Sequence, residues 1–368
     1  FLSLCQREAG KTLLDAVLEL REAVDFLRFY ANEARRQFTR PIPLPGPTGE
    51  ENRLSLHGRG VFACISPWNF PLAIFIGTPA AALAAGNTVV VNPSQYTSAS
   101  MLEFMKIFEK AGFPPGVVNV VTGTGSEIGT PLVEHPKVAK VAFTGSEETG
   151  VRVYESAARG IKRVTMELGG KSPNIVFADA HIDNAVKGVI SGIFAATGQT
   201  CIAGSRLLIQ ESIHDQFMDK LVAFAKTAKM GDPMSLDTQV GPVTTHPQYE
   251  KILSYMDVAR EDGAECVLGG GKAEGPECGD VWFVEPTIYD GVTNDMRIAQ
   301  EEVFGPLLSV ITFKDDDEAV EIGNDVVYGL AAGIWTSSIR RAIDISARVK
   351  AGTVWAVSYT HLTLPTKA

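Results

Sequence analysis

Val117-Val-Asn-Val-Val121-Thr-Gly123-Thr-Gly125-Ser-Glu-Ile-Gly129 is a β-branched run that breaks at two glycines and then passes into helix-compatible residues. A strand that stops at a glycine turn and feeds a helix aims backbone N–H groups and a helix dipole at one point, where a phosphate can sit. The third glycine comes one residue later than in G-x-G-x-x-G, so a plain tight turn competes with a phosphate cradle here. Around this stretch the same unit recurs. Val61–Ile65, Thr88–Val91 and Val138–Phe143 read as strands, with helices near Pro79–Ala85, over Ser98–Ala111, over Ser126–Glu134 and from Glu148. Val-rich strands separated by helices are those of a parallel sheet covered on both faces. The expectation is a doubly wound lobe that binds ligands beyond the carboxyl ends of its strands. A second strand-to-helix turn, Phe143-Thr-Gly145-Ser146 through Gly150, repeats the arrangement one unit later and favours a dinucleotide.

Upstream, Leu13, Val17, Leu20, Val24, Leu27 and Ala31 fall at the spacing of one amphipathic helix, Leu13–Phe38, with Glu19, Glu22, Arg28 and Glu33 between them. Repeated prolines in Pro41–Pro47 then forbid helix and favour an extended arm. Downstream, Arg163–Leu168 is a strand and Gly169-Gly170 a hinge, followed by a second α/β series. Its strands are expected over Asn174–Phe177, Ser205–Gln210, Leu307–Phe313 and Leu330–Trp335, and its helices over Ile182–Ala196, Ile213–Ala228, Gln248–Asp262, Asp317–Asn324 and Ile339–Val349. Gly269–Gly271 and Glu274–Gly279 read as a surface loop. The expected division is a first domain of 1–39 and 59–168, an oligomerisation-type arm of 40–58, and a second domain of 169–355.

The length of 368 residues exceeds what one hydrophobic core serves, which agrees with two domains. A formal charge of −10 supplies no basic stripe to displace phosphate counterions, so nucleic acid is excluded as a partner and small molecules are expected. Five cysteines, an odd number without a C-x-x-C pair, suit a reducing compartment, and the reading is cytoplasmic. Apolar stretches are broken by Pro and Gly short of a bilayer span, so no membrane association is expected. The six histidines show no ligand spacing, and no metal site is expected.

Several residues carry chemistry. Phe194-Ala-Ala-Thr-Gly198-Gln-Thr-Cys201 places a lone thiol just past a glycine turn, as a nucleophile or as an inert core cysteine. Glu167, at a strand end before Gly169-Gly170, is either a general base or a solvated glutamate. Asn69, held between Trp68 and Phe70-Pro71, can donate its side-chain amide to an oxyanion. Glu301-Glu302-Val-Phe304-Gly-Pro306 pairs two carboxylates with an aromatic before a rigid turn. Lys171 reads as a solvated helix-end charge, and Cys64 as a buried strand residue.

In order along the chain, Trp68-Asn-Phe-Pro71, Phe143-Thr-Gly-Ser146, Glu167-Leu-Gly-Gly-Lys171, Gly198-Gln-x-Cys201 and Glu302-x-Phe-Gly-Pro306 resemble the signature of the aldehyde dehydrogenase superfamily, over Arg7 to about Trp355. The resemblance implies an α/β, aldehyde dehydrogenase-like fold with a doubly wound cofactor domain and an α/β catalytic domain. It implies Cys201 as the nucleophile that forms a thiohemiacetal with an aldehyde, and Asn69 and the Cys201 N–H as oxyanion donors. NAD or NADP is the implied hydride acceptor, and Glu167 the base for hydrolysis of the thioester. Glu302 matches the nicotinamide-ribose ligand, with Phe304 near the ring. Gly145 and Ser146 match the turn beneath the cofactor, and Ser66, Trp68, Asn92, Gln95, Gly125, Gly129 and Leu168 are counted among its contacts. The partner is a small aldehyde, and intact members form homo-oligomers.

Three departures qualify what the resemblance implies. Val91-Asn-Pro-Ser-Gln95 has neutral residues where the family usually has Lys and Glu on the adenosine ribose, which leaves NAD against NADP open. Family elements before the Leu13 helix and after Trp355 are missing, and Ala356–Ala368 reads as a foreign tail on a chain truncated at both ends. The front, Arg7 to Ile74, looks most like the dehydrogenase part of proline-utilisation proteins, whose substrate is glutamate γ-semialdehyde; from Gly86 on the chain looks more like general aldehyde dehydrogenases. A coenzyme A-acylating enzyme is opposed by Glu167, and the alternative from another class is an inactive fragment retaining part of a nucleotide-binding fold.

Overall fold

The computed structural model describes residues 1–275, 277–279 and 281–356; the expected foreign tail lies outside them from residue 357 on. The chain divides into two compact units, one of Phe1–Ala9 with Ala16–Leu168, the other of Gly10–Asp15 with the chain from Gly169.

The first unit opens with helices α1 (Leu2–Ala9) and α2 (Leu13–Phe38) and a two-stranded arm, β1 (Ile42–Leu44) antiparallel to β2 (Asn52–Leu54). There follow β3 (Val61–Ile65), α3 (Ala73–Ala84), β4 (Thr88–Asn92), α4 (Ala99–Lys110), β5 (Val118–Val120), α5 (Thr130–Glu134), β6 (Val138–Thr144), α6 (Glu147–Arg159) and β7 (Arg163–Glu167). The five strands from β3 to β7 form one sheet of order β5-β4-β3-β6-β7, with every pairing parallel. The order reverses between β3 and β6, which is where a doubly wound sheet opens its ligand crevice. Cys64, Val89, Val91 and Ala142 bury one core with α3 and α4, and Ala63, Val138 and Val141 bury a second against Ala157 of α6.

Two local readings change. The stretch expected as helix over Ser126–Glu134 begins as a π turn, Gly125–Gly129, closed by the Thr130 N–H donating to the Gly125 carbonyl. A π turn holds one residue more than an α turn, and it accommodates the extra residue in the glycine spacing. Thr124 and Glu127 cap it reciprocally, each side chain accepting from the other's backbone N–H. Helix α3 begins at Ala73, six residues before the expected start, because its first N–H groups find a buried acceptor. Glu19 of α2, expected on the solvent side, is 1% exposed, and its Oε1 accepts from the N–H groups of Leu72 at 2.7 Å and Ala73 at 3.1 Å.

The second unit contains β8 (Pro173–Val176), α7 (Ile182–Phe194), β9 (Arg206–Gln210), α8 (His214–Ala225), α9 (His246–Glu261), β10 (Glu265–Leu268), β11 (Thr287–Asp290), α10 (Arg297–Gln300), β12 (Leu307–Phe313), α11 (Asp316–Asn324), β13 (Ala331–Trp335), α12 (Ile339–Arg348) and β14 (Thr353–Trp355). Its seven-stranded sheet has the order β10-β11-β12-β9-β8-β13-β14, parallel except for β10 against β11. Strands β10 and β11 flank the glycine loop and are too short to stand out by composition. The central strands are buried on both faces, which is why they read as continuous apolar runs. Among the described residues no helix is long and apolar enough to cross a membrane, and no cysteine is joined in a disulfide.

Candidate active site

The loop that delivers Cys201 is built from left-handed backbone. After α7 ends, Ala196 (φ 49°), Thr197 (φ 57°) and Gly198 (φ 70°) follow one another in that region. A non-glycine residue there costs on the order of 1–2 kcal/mol, so the turn persists only because its surroundings hold it. Thr197 Oγ1 donates to the Gly241 carbonyl at 3.0 Å, and the Gln199 N–H and Nε2 both donate to the Ala196 carbonyl. Gln199 Oε1 in turn accepts from the Thr244 N–H at 2.9 Å. Cys201 stands at the end of this scaffold, half-buried.

The glycines of three motifs meet here. A Cβ on Gly198 would lie 2.1 Å from the Gly305 carbonyl oxygen, and one on Gly170 would lie 2.2 Å from the Cys201 carbonyl oxygen. A Cβ on Gly169 would lie 2.5 Å from Glu302 Oε2. Gly169-Gly170 is therefore a bare strip of backbone with the Cys201 loop against one residue and Glu302 against the other. Glu302 Oε1 accepts from the Gly170 N–H at 2.8 Å. Phe304 is also left-handed (φ 61°), and its turn is pinned by Gln248, whose Nε2 donates to the Val303 and Phe304 carbonyls at 2.9 Å each.

The paired carboxylates separate in role. Glu301 accepts from Tyr255 Oη at 2.6 Å and from Arg297 at 3.1 Å, and the Arg297 and Tyr255 hydrogen bonds hold its carboxyl below the usual range. Glu302 turns to the glycine strip. Lys171 departs from the expectation of a solvated charge: it is 1% exposed. Its backbone carbonyl accepts from the Nε of Arg206, a wholly buried guanidinium whose other donors go to Asn294 Oδ1 and the Ile322 and Gly323 carbonyls. Burial, and then the Arg206 charge, pull the Lys171 ammonium down to about 7 against the opposing pull of Glu302.

In the first unit, Asn69 is 6% exposed, directly before the helix start that Glu19 caps. Trp68 offers its carbonyl to Thr97 Oγ1, and the buried Ser66 donates its N–H to the Asn92 carbonyl at 3.2 Å. Glu167 closes β7 and is exposed; its carbonyl accepts from the Gly145 N–H at 3.1 Å, so that N–H is not available to a phosphate. Leu168 packs where a Cβ on Gly150 would be, at 2.6 Å. Ser146 caps α6 by accepting from the Thr149 N–H. The Cys64 thiol is buried, and burial pushes it up to about 12, which removes it as a second nucleophile.

A cavity of about 320 Å³ opens at the carboxyl ends of β3, β4 and β6. Ile65, Val133, Phe143 and Val153 give it apolar walls, and Asn92, Gly125 and Gly129 of the expected cofactor contacts line it. Gln95 is exposed and is not among the lining residues. The walls, the size and the bare glycine turn fit the nucleoside end of a dinucleotide. Ser126, Thr130, Thr149 and Arg152 also line it. Sequence reading passed over these four, although Thr149 and Arg152 lie three and six residues after Ser146 on one face of α6. Gln248 was missed in the same way, since nothing near it in sequence marks it. Asn69 and Glu167 lie in the first unit, and Cys201, Glu302 and Phe304 in the second.

The profile of the Aldehyde dehydrogenase family matches residues 1–367. The betaine aldehyde dehydrogenase of Bacillus subtilis is 39% identical over 348 residues, covering 95% of this chain and 71% of the relative. A chloroplastic aminoaldehyde dehydrogenase of Arabidopsis thaliana is 44% identical over 351 residues, 95% of this chain and 70% of its own length. Among solved structures, the betaine aldehyde dehydrogenase of Staphylococcus aureus in complex with NAD+ superposes with a TM-score of 0.95 at 36% identity, covering 97% of this chain and 71% of that one. With fold, motifs and relatives in agreement, the chain belongs to the aldehyde dehydrogenase family and is an NAD(P)-dependent oxidoreductase.

Proposed function

We propose that Cys201 carries the oxidation of an aldehyde to its carboxylic acid, with Asn69 and Glu167 as its partners. The Cys201 thiolate adds to the aldehyde carbon, forming a C–S bond and an alkoxide. The Asn69 side-chain amide and the Cys201 N–H stabilise that alkoxide. Bound NAD+ or NADP+ supplies the hydride acceptor, with Glu302 and Phe304 at its nicotinamide ribose and ring and the Asn92–Gly125–Gly129 cavity at its adenosine. Glu167 takes a proton from water as the water attacks the acyl carbon, and the Cys201 thiolate leaves. The observation that carries this reading is the glycine strip. Gly169-Gly170 brings Glu302 and the backbone of the Cys201 loop onto one length of chain.

For substrate, relatives named for betaine aldehyde and aminoaldehydes put aldehydes bearing a nitrogen cation first. Glutamate γ-semialdehyde, suggested by the front third of the chain, is the competing substrate. We place a contact with a second copy on the arm of 40–58, where Ile42, Leu44 and Leu54 are exposed, and the protein in a reducing compartment such as the cytoplasm. The test is incubation of the purified chain with NAD+ or NADP+ and a panel of betaine aldehyde, 3-aminopropanal, glutamate γ-semialdehyde and a simple alkanal. Reduced cofactor and acid forming one for one support the reading; no reduced cofactor with any pair overturns it.

A further inference from the structure

Lys171 is a buried titratable group that the proposed chemistry does not use. Its side chain is 1% exposed and its Nζ donates no hydrogen bond, a costly state for an ammonium. The charges acting on it are Arg206 and Lys251, which repel it, and Glu302 and Glu301, which attract it. Glu301 is already engaged by Arg297 and Tyr255. That leaves Glu302, whose Oε1 is bound by the N–H of Gly170, the residue directly before Lys171. The Lys171 backbone is fixed in place by the Arg206 Nε on its carbonyl at 3.0 Å.

We propose that Lys171 is a positioning residue for Glu302: its buried ammonium holds the Glu302 carboxylate seated over Gly169-Gly170, ready to accept from the ribose hydroxyls of the nicotinamide nucleoside. This rests on Glu302 as the nicotinamide-ribose ligand. Thermodynamics separates the proposal from a packing role. With its folded pKa lowered to about 7 from an unfolded value near 10.4, the lysine imposes a folding cost that is absent above about pH 10.4, grows as pH falls, and is complete below about 7. A methionine in its place keeps the stem and removes that cost, so it separates the charge from the packing.

The test combines apo-protein melting with cofactor binding, on wild type, Lys171→Met, Glu302→Gln and the double variant at pH 6 and pH 8.5. Lys171→Met is expected to melt no lower than wild type. Glu302→Gln should lower the melting temperature more in the wild-type background than in the Lys171→Met background, with the larger difference at pH 6, where Lys171 is charged. Equal Glu302→Gln losses in both backgrounds at both pH values overturn the pairing. Fluorescence titration with NADH should show wild-type Kd rising about tenfold from pH 6 to pH 8.5, and Lys171→Met flat at the weaker value. Parallel profiles overturn the positioning role. Coupled melting without NADH binding by any form would uphold the pairing and refute Glu302 as a cofactor ligand. Should Lys171→Met fail to fold, Glu302→Gln alone decides: a loss larger at pH 6 supports the pairing, and a pH-independent loss overturns it.

Discussion

Replacing Gly198 with alanine adds one methyl group where two backbones touch. The new Cβ would lie 2.1 Å from the Gly305 oxygen, 2.3 Å from its carbonyl carbon and 2.7 Å from the Pro306 nitrogen. Relief needs a retreat of about 1 Å, since carbon contacts are comfortable near 3.5 Å. No rotamer provides it, because every atom met is main chain. Gly305 cannot retreat freely either, as Ile252 fills the space beside it. The φ of 70° adds about 1 kcal/mol for a residue with a side chain, and overpacking typically adds about 1–3 kcal/mol. The expected loss is about 2–4 kcal/mol in urea denaturation, with an unchanged m-value. The displaced segment runs into Cys201, and a 1 Å shift of a reacting group costs on the order of 100-fold, so kcat/KM should fall by about that factor. A Gly198→Ala variant with wild-type stability and kcat/KM within about threefold would refute the account of the loop.

The Gly169→Ala change differs in kind, because its Cβ meets the far end of the Glu302 side chain at 2.5 Å; cofactor KM should rise about tenfold with stability within about 1 kcal/mol, checked by NAD+ titration and melting. Glu19→Ala strips two N–H groups at the start of α3 of a buried acceptor and should cost about 2 kcal/mol in urea, whereas Glu19→Gln, which keeps an acceptor oxygen, should recover at least half. His214 joins Asp215 at 2.8 Å and Asp290 at 3.0 Å; burial works against its charge, but the two carboxylates prevail and its pKa is raised. Stability from that bridge is complete below the unfolded value of about 6.5 and lost as pH rises through the folded one, so His214→Ala should cost about 1 kcal/mol at pH 5.5 and less at pH 9 in paired melting curves.

The central strands of the second sheet were legible because burial on both faces forces them into apolar runs, while β10 and β11 at its edge were not; Leu13–Phe38 was legible because one helical face is apolar over its whole length. What sequence could not show was long-range pairing. Glu19 looked like any charge on an amphipathic helix, and its role depends on N–H groups more than fifty positions later. Lys171 looked solvated because lysine usually is, and its burial shows only once the second unit is folded around it. Cys201 was marked by its order among other motifs. The reason those motifs are glycine-rich lay in approaches so close that an added Cβ would come within 2.1–2.5 Å of segments about thirty to more than one hundred and thirty residues away.

The central claim is that Cys201 forms the covalent bond to substrate. Wild type and Cys201→Ala should be compared for NADH formation with NAD+ and the best aldehyde of the panel, after melting curves have shown that both fold alike. Wild-type turnover with no NADH above background from Cys201→Ala is the predicted result; equal turnover by the two proteins would contradict the account.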